Sequence, residues 1–228
     1  MLNKIIFLSI VIISSLAFAI EDPLDQMNKR ILVLSEVIGF YPPNINSDKE
    51  KESTEKEYLS LKKQLDNLIK KSPKDANLLY IRGNLQAMGH NFDYPKAWEG
   101  ASSDLKSSLS IQPHNEAALL SLATLWVNSQ PDLAKQSENL YRAAQCYHGK
   151  EPLEEAQSGI FFALYYQGKV PEAFSQASYL KNKWPTNAKY SQIYDMSKSV
   201  LQNKGGSKPV TLPPENLVLA SCENNESK

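Results

Sequence analysis

Arginine, histidine and cysteine are scarce in this chain, and each scarcity closes a route. The 228 residues hold 25 basic side chains, yet arginine stands only at Arg30, Arg82 and Arg142. Phosphate and nucleic-acid recognition leans on the guanidinium fork, and 25 acidic residues balance the 25 basic ones to a formal net charge of zero. So balanced a chain has no electrostatic footprint for nucleic acid or for an anionic membrane surface. His90, His114 and His148 each read as turn residues between helical stretches. Lone imidazoles at turns are solvated more often than metal-bound, so neither metal nor cofactor is expected. The strings HExxH, CxxC and GxSxG do not occur, which removes the sequence support for zinc hydrolysis, dithiol chemistry and an elbow serine. The adjacent acids Glu154 and Glu155 diverge on a helix, and acids near a helix start complement its dipole. The expectation is a protein that is not an enzyme.

Cys146 and Cys222 are the two cysteines. Export would allow them to pair, but Cys222 lies in a tail of low structural promise. The preferred reading is an unpaired Cys146 buried as a small hydrophobe, with the disulfide as the alternative. Long apolar runs are absent after the first. Lys4 precedes an apolar stretch from Ile5 to Leu16, and Ala17-Phe18-Ala19 follows with small residues at a cleavage spacing. That is the three-part pattern of a secretory signal, and the stretch is short against the about 20 residues that span a bilayer core. Cleavage after Ala19 is expected, with an uncleaved anchor as the rival and a periplasmic or secreted address. The cut removes Lys4 and leaves 24 basic and 25 acidic residues.

What is present is a repeat. Four ladders share the same gaps of four, three and five residues: Leu61-Leu65-Leu68-Pro73, Ala101-Leu105-Ser108-Pro113, Ser137-Tyr141-Ala144-Gly149 and Ala173-Ala177-Leu180-Pro185. Their starts lie 40, 36 and 36 residues apart. Residues at i, i+4 and i+7 share one face of an α-helix, and the proline or glycine that follows turns the chain. Another helical pattern precedes each of the last three ladders, over 76–88, 116–127 and 153–166. Each unit is then a helical hairpin that buries its apolar face only by stacking on the next.

The stretches ANLLYIRGNLQAMG, ASSDLKSSLSIQPHNEA and YYQGKVPEAFSQASYLKNKWPTN resemble the tetratricopeptide repeat (TPR), a helix–turn–helix unit of about 34 residues. The resemblance covers Pro73 to Tyr194. Gly83 and Ala123 fill the small slot of the first helix, and Pro73, Pro113 and Pro185 fill the exit. The turn at His90–Pro95 is longer than the family's by about six residues, and Gly149 replaces one exit proline. Phe161 takes the small slot of the third unit, because the alternative register at Gly159 buries Glu155 and exposes Ile160. The resemblance implies an all-α fold: a right-handed superhelical array of antiparallel helix pairs, a TPR-like solenoid with capping helices. The expected organisation is a signal peptide over 1–19, a divergent N-terminal hairpin over 20–72, repeats with a C-terminal capping helix over 73–203, and a flexible tail over 204–228. The hairpin joins helices over 24–40 and from Ser47 to about Lys71, the second opened by the capping box Ser47–Glu50; Ala188–Gln202 forms the other cap.

The first helices of such an array line a concave groove where the family holds peptides. Carried over position by position, the groove falls on Asn77, Tyr80, Asn84 and Met88, then Leu120, Thr124 and Asn128, then Ser158, Phe162, Tyr165 and Tyr166. Aromatic rings cover apolar side chains, and amides satisfy backbone donors and acceptors together. Some family members clamp a C-terminal carboxylate with lysine and asparagine. Here Asn84 matches one clamp position, but Tyr80 and Ser121 replace the others, which argues against carboxylate capture. Phe162 and Tyr166 read equally well as packing against the final helix. The expected function is an exported, non-catalytic adaptor for a protein or peptide partner. The alternative is a structural component of the cell envelope that associates with its own copies.

Overall fold

The computed structural model describes residues 22–203; the expected signal peptide and tail lie outside the described residues. Among the described residues there are nine α-helices and no strand, and consecutive helices pack on one another. They are α1 (Pro23–Ile38), α2 (Asp48–Lys71), α3 (Ala76–Asn91), α4 (Ala97–Ile111), α5 (Glu116–Ser129), α6 (Ala134–His148), α7 (Glu154–Tyr166), α8 (Val170–Lys183) and α9 (Ala188–Asn203). A short 3-10 turn, Pro131–Leu133, leads into α6. His90 therefore belongs to the last turn of α3 and His148 closes α6, so His114 alone of the three lies in a connecting turn.

Helix starts follow a local rule. Asp75 accepts hydrogen bonds from the N–H groups of Asn77 and Leu78, and Asn115 accepts one from Ala118 N–H. Asn187 does the same for Lys189 N–H. Each of these caps stands two residues after an exit proline, at Pro73, Pro113 and Pro185. Proline ends one helix, and the capping side chain satisfies an orphan donor of the next. At the start of α2, Ser47 Oγ accepts from Glu50 N–H, while the Glu50 carboxylate reaches to Asn46 N–H rather than to the cap residue itself.

The even-numbered helices carry the ladders, and the ladders are core. Leu61, Leu65, Ala101, Leu105, Ser108, Ser137, Ala144, Ala173, Ala177 and Leu180 are fully buried and Tyr141 almost so. In α2 the third rung is shifted: Leu68 is partly buried while its neighbour Ile69 takes the interior. Burying one leucine such as Leu105 contributes about 1.5–3 kcal/mol. The small residues of the ladder let the next helix come close. Glycines on the odd-numbered helices do so from the other side: a methyl group at Gly83 would meet Leu105 at 2.8 Å, and one at Gly159 would run into the Tyr141 ring. Phe161 and Ile160 are both fully buried, while Glu155 is exposed. Gly159 thus serves the contact with the preceding pair.

Polar groups fix the helix pairs where the ladders leave freedom. Arg82 on α3 forks onto Asp104 of α4 with two bonds of 2.7 Å and reaches Asp66 of α2 at 2.8 Å, joining three helices. Gln145 on α6 donates to the Gly149 and Glu151 carbonyls and accepts from Leu153 N–H and Gln157 Nε2. Gln176 on α8 continues the chain to Gln157. This buried amide network holds the one exit that lacks a proline, where Gly149 adopts a φ of 102°. Glu138, with its side chain only 5% exposed, gathers Lys135, Arg142 and Lys169 and accepts a 2.9 Å bond from Gln167 at the α7–α8 turn.

Cys146 is disulfide-bonded, which corrects the expectation of an unpaired thiol; Cys222 lies outside the described residues. Cys146 is also half-buried rather than interior. The sequence pointed away from the bond because nothing local to Cys146 indicates its partner.

Two predictions follow from this packing. Gly to Ala inside a helix ordinarily stabilises by about 0.5–1 kcal/mol, but Gly159→Ala drives a methyl into the Tyr141 ring. It should destabilise by about 1–3 kcal/mol in urea unfolding, and a gain in stability would contradict the contact. Burial by itself would raise the Glu138 pKa, but hydrogen bonds from Gln167, Lys135 and Arg142 and the Arg142 charge outweigh it and bring it down to about 2. A carboxylate depressed in the folded state stabilises above its unfolded pKa and loses that contribution as pH falls toward the folded value. Wild-type stability should drop by on the order of 3 kcal/mol between pH 5 and 2 through this group. The corresponding slope should be missing in Glu138→Gln, measured by urea unfolding across that range.

Candidate functional site

Besides packing on their sequence neighbours, the odd-numbered helices touch one another: α1 packs on α3, α3 on α5 and α5 on α7. Between them lie two adjoining cavities. The first, of about 920 Å³, is bounded by the end of α1, the following loop, α3, α5 and Glu155 of α7. The second, of about 550 Å³, lies between α5, α7 and the start of α9, with Tyr141 of α6 in its wall. Thr124, Asn128 and Glu155 line both cavities, so the two form one elongated depression with these side chains at its waist.

Asn84, Met88, Thr124, Asn128, Ser158 and Phe162 all line this depression. The other sequence-derived positions fall elsewhere. Leu120 is buried in the core with Ala123 and Phe161, and Tyr165 packs against that core with its ring centroid 6.0 Å from that of Phe161. Asn77 and Tyr166 are exposed outside the cavity linings. Tyr80 is partly buried against two core clusters. Its phenol is raised by burial, eased by the Ser121 hydroxyl and raised further by the Glu155 charge.

Helical spacing alone did not indicate several lining groups. Phe40 and Tyr41, 52% and 72% exposed, stand at the rim of the larger cavity on the α1–α2 loop. His90 shares a 3.0 Å hydrogen bond with Ser129 Oγ across that cavity's wall. Tyr141 reaches through from the second layer, and its hydroxyl shares a 2.9 Å hydrogen bond with Thr124 Oγ1. Burial raises the Tyr141 phenol, so it stays neutral. At the far end Lys189 lies 5.4 Å from the centroid of the Phe162 ring. There Glu154 accepts hydrogen bonds from Tyr190 Oη at 2.7 Å and Asn187 Nδ2 at 3.0 Å.

Glu155 and Glu154 adjoin in sequence and differ in state. Glu154 is held by α9, whereas Glu155 makes no hydrogen bond or ion pair with the described residues. Glu155 is an exposed residue, but its carboxyl loses part of its water where it lines the two cavities; this raises its pKa above the ordinary value, and the Glu116 charge raises it further. No group of three or more metal-ligating side chains occurs among the described residues. Nor is any described helix long and apolar enough to cross a membrane. No protein-family model matches the chain, and comparisons with curated proteins and with solved structures gave no match.

Proposed function

We propose that the protein is an exported, TPR-like adaptor that holds an extended segment of a protein partner in the depression along α3, α5, α7 and α9, without catalysis. The observation that carries this reading is the elongated shape of the depression and its mixed lining. Asn84 and Asn128 offer paired donors and acceptors to a peptide backbone, and Met88, Phe162 and the rim aromatics offer apolar contact. The ladders and the contacts between successive odd-numbered helices favour a right-handed array of hairpins with a hollow face. Export is supported by the charged, apolar and small-residue order of the N-terminus and by the disulfide at Cys146, a bond that persists in oxidising compartments.

Leu32 and Val33, 66% and 64% exposed on α1, the first of the described helices, favour a second reading in which copies of the chain associate with one another.

Affinity capture from an envelope extract, read by mass spectrometry, tests the first reading. Partners retained by the wild type should fall at least about tenfold with Asn84→Ala plus Asn128→Ala and persist with Leu32→Ser plus Val33→Ser. Capture unchanged by the cavity substitutions would reject the depression as the site. A concentration-dependent oligomer in light scattering, dispersed by the α1 substitutions, would favour self-association instead.

A further inference from the structure

The charges facing the depression are unevenly paired. From α9, Lys189 sits above Phe162 at one end. From α7, Glu154 is already engaged by Tyr190 and Asn187 beside it. From the α3–α4 loop, Asp93 lines the larger cavity, where the ionisable nitrogen of the lining belongs to His90, shared with Ser129. From α5, Glu116 adds negative charge toward the waist while itself paired with His148 Nδ1 at 2.9 Å. At the waist Glu155 lines both cavities and has no cation beside it among the described residues.

A partly desolvated carboxylate without a counter-charge repels an incoming carboxylate and favours a cation, because attraction grows as water is displaced. A neighbouring phenol adds to this. Tyr141 lines the smaller cavity, feels the Glu155 charge and is held neutral, so it supplies a polar edge and ring surface without positive charge. Arginine and lysine heads suit such a place, since their stems cover apolar surface while the head meets the acid.

Building on the peptide-groove reading, we infer that the depression selects an extended peptide segment bearing a lysine or arginine, whose cation sits on Glu155 at the waist. Its neighbours run toward Asn84 and Met88 on one side and Phe162 on the other. This is opposite in charge to the capture of a peptide's C-terminal carboxylate.

The test is selection of a random library of displayed twelve-residue peptides on the full exported chain, with sequencing of what is retained. Wild-type protein should enrich peptides carrying Lys or Arg at one fixed position. Individual enriched peptides should bind Glu155→Gln about tenfold more weakly or worse, and their affinity for the wild type should fall with salt. Glu155→Lys should shift the selection to Asp or Glu, while Glu52→Gln, on the far exposed part of α2, should change nothing. Glu155 is exposed, so circular dichroism of its variants should match the wild type. Enriched peptides lacking basic residues, or held equally by Glu155→Gln, would overturn the inference and leave the groove reading standing. Retention of no peptide at all would overturn both.

Discussion

Close approach between an odd-numbered helix and the ladder of an even-numbered one is the contact on which the molecule depends. Each helix pair packs on its sequence neighbours among the described residues. Each must press a stripe of small and medium side chains against the next, and a packed interior tolerates little error in that distance. Gly83 against Leu105 and Gly159 against Tyr141 set the distance at the α3–α4 and α6–α7 interfaces. The depression is a by-product of this geometry. Once the even-numbered helices are occupied with the core, the odd-numbered ones are left facing a shared space.

Polar residues then decide the angle and register that apolar contact leaves loose. Arg82 locks α3 between α2 and α4 through two carboxylates, and Glu138 locks the α7–α8 turn onto α6. The glutamine chain Gln145–Gln157–Gln176 crosses three helices. A buried amide is costly unless every partner is present, so this chain tolerates one arrangement of α6, α7 and α8. Two of the helices so fixed, α6 and α7, carry Tyr141, Glu155, Ser158 and Phe162 into the smaller cavity. Packing and site are therefore coupled through the same helices.

Much of the fold was legible in the sequence because its information is local and repeated. The ladders, the proline exits and the cap at Ser47 each act within a few residues, and helix limits expected at Ala76, Glu116 and Ala188 coincide with the observed ones. About half of the expected groove positions line the candidate depression. Positions one helical turn apart, such as Asn84 and Met88 or Thr124 and Asn128, share a face and reach the depression together. Leu120 and Tyr165 do not, because each of these helices meets neighbours on more than one side and these positions are claimed by core. Tyr141 was assigned to a ladder and is one, yet its hydroxyl also reaches the cavity wall through Thr124. Glu155 was discounted as a helix-start acid; its place at the waist of the depression depends on which helices face it, and that lies beyond local spacing. The bond at Cys146 ranked behind an unpaired thiol for the same reason.

Hydrogen exchange read by mass spectrometry on Ala177→Trp reaches the central claim most directly. Ala177 is fully buried on α8, and a large ring there cannot be accommodated without displacing its neighbours. If stability passes from pair to pair, protection should fall in α7, α8 and α9, weaken by α5 and α6, and remain unchanged in α1, α2 and α3. Equal loss of protection along the whole chain, or loss in α1 with α7 intact, would contradict a fold in which each helix pair is sheltered by its neighbours.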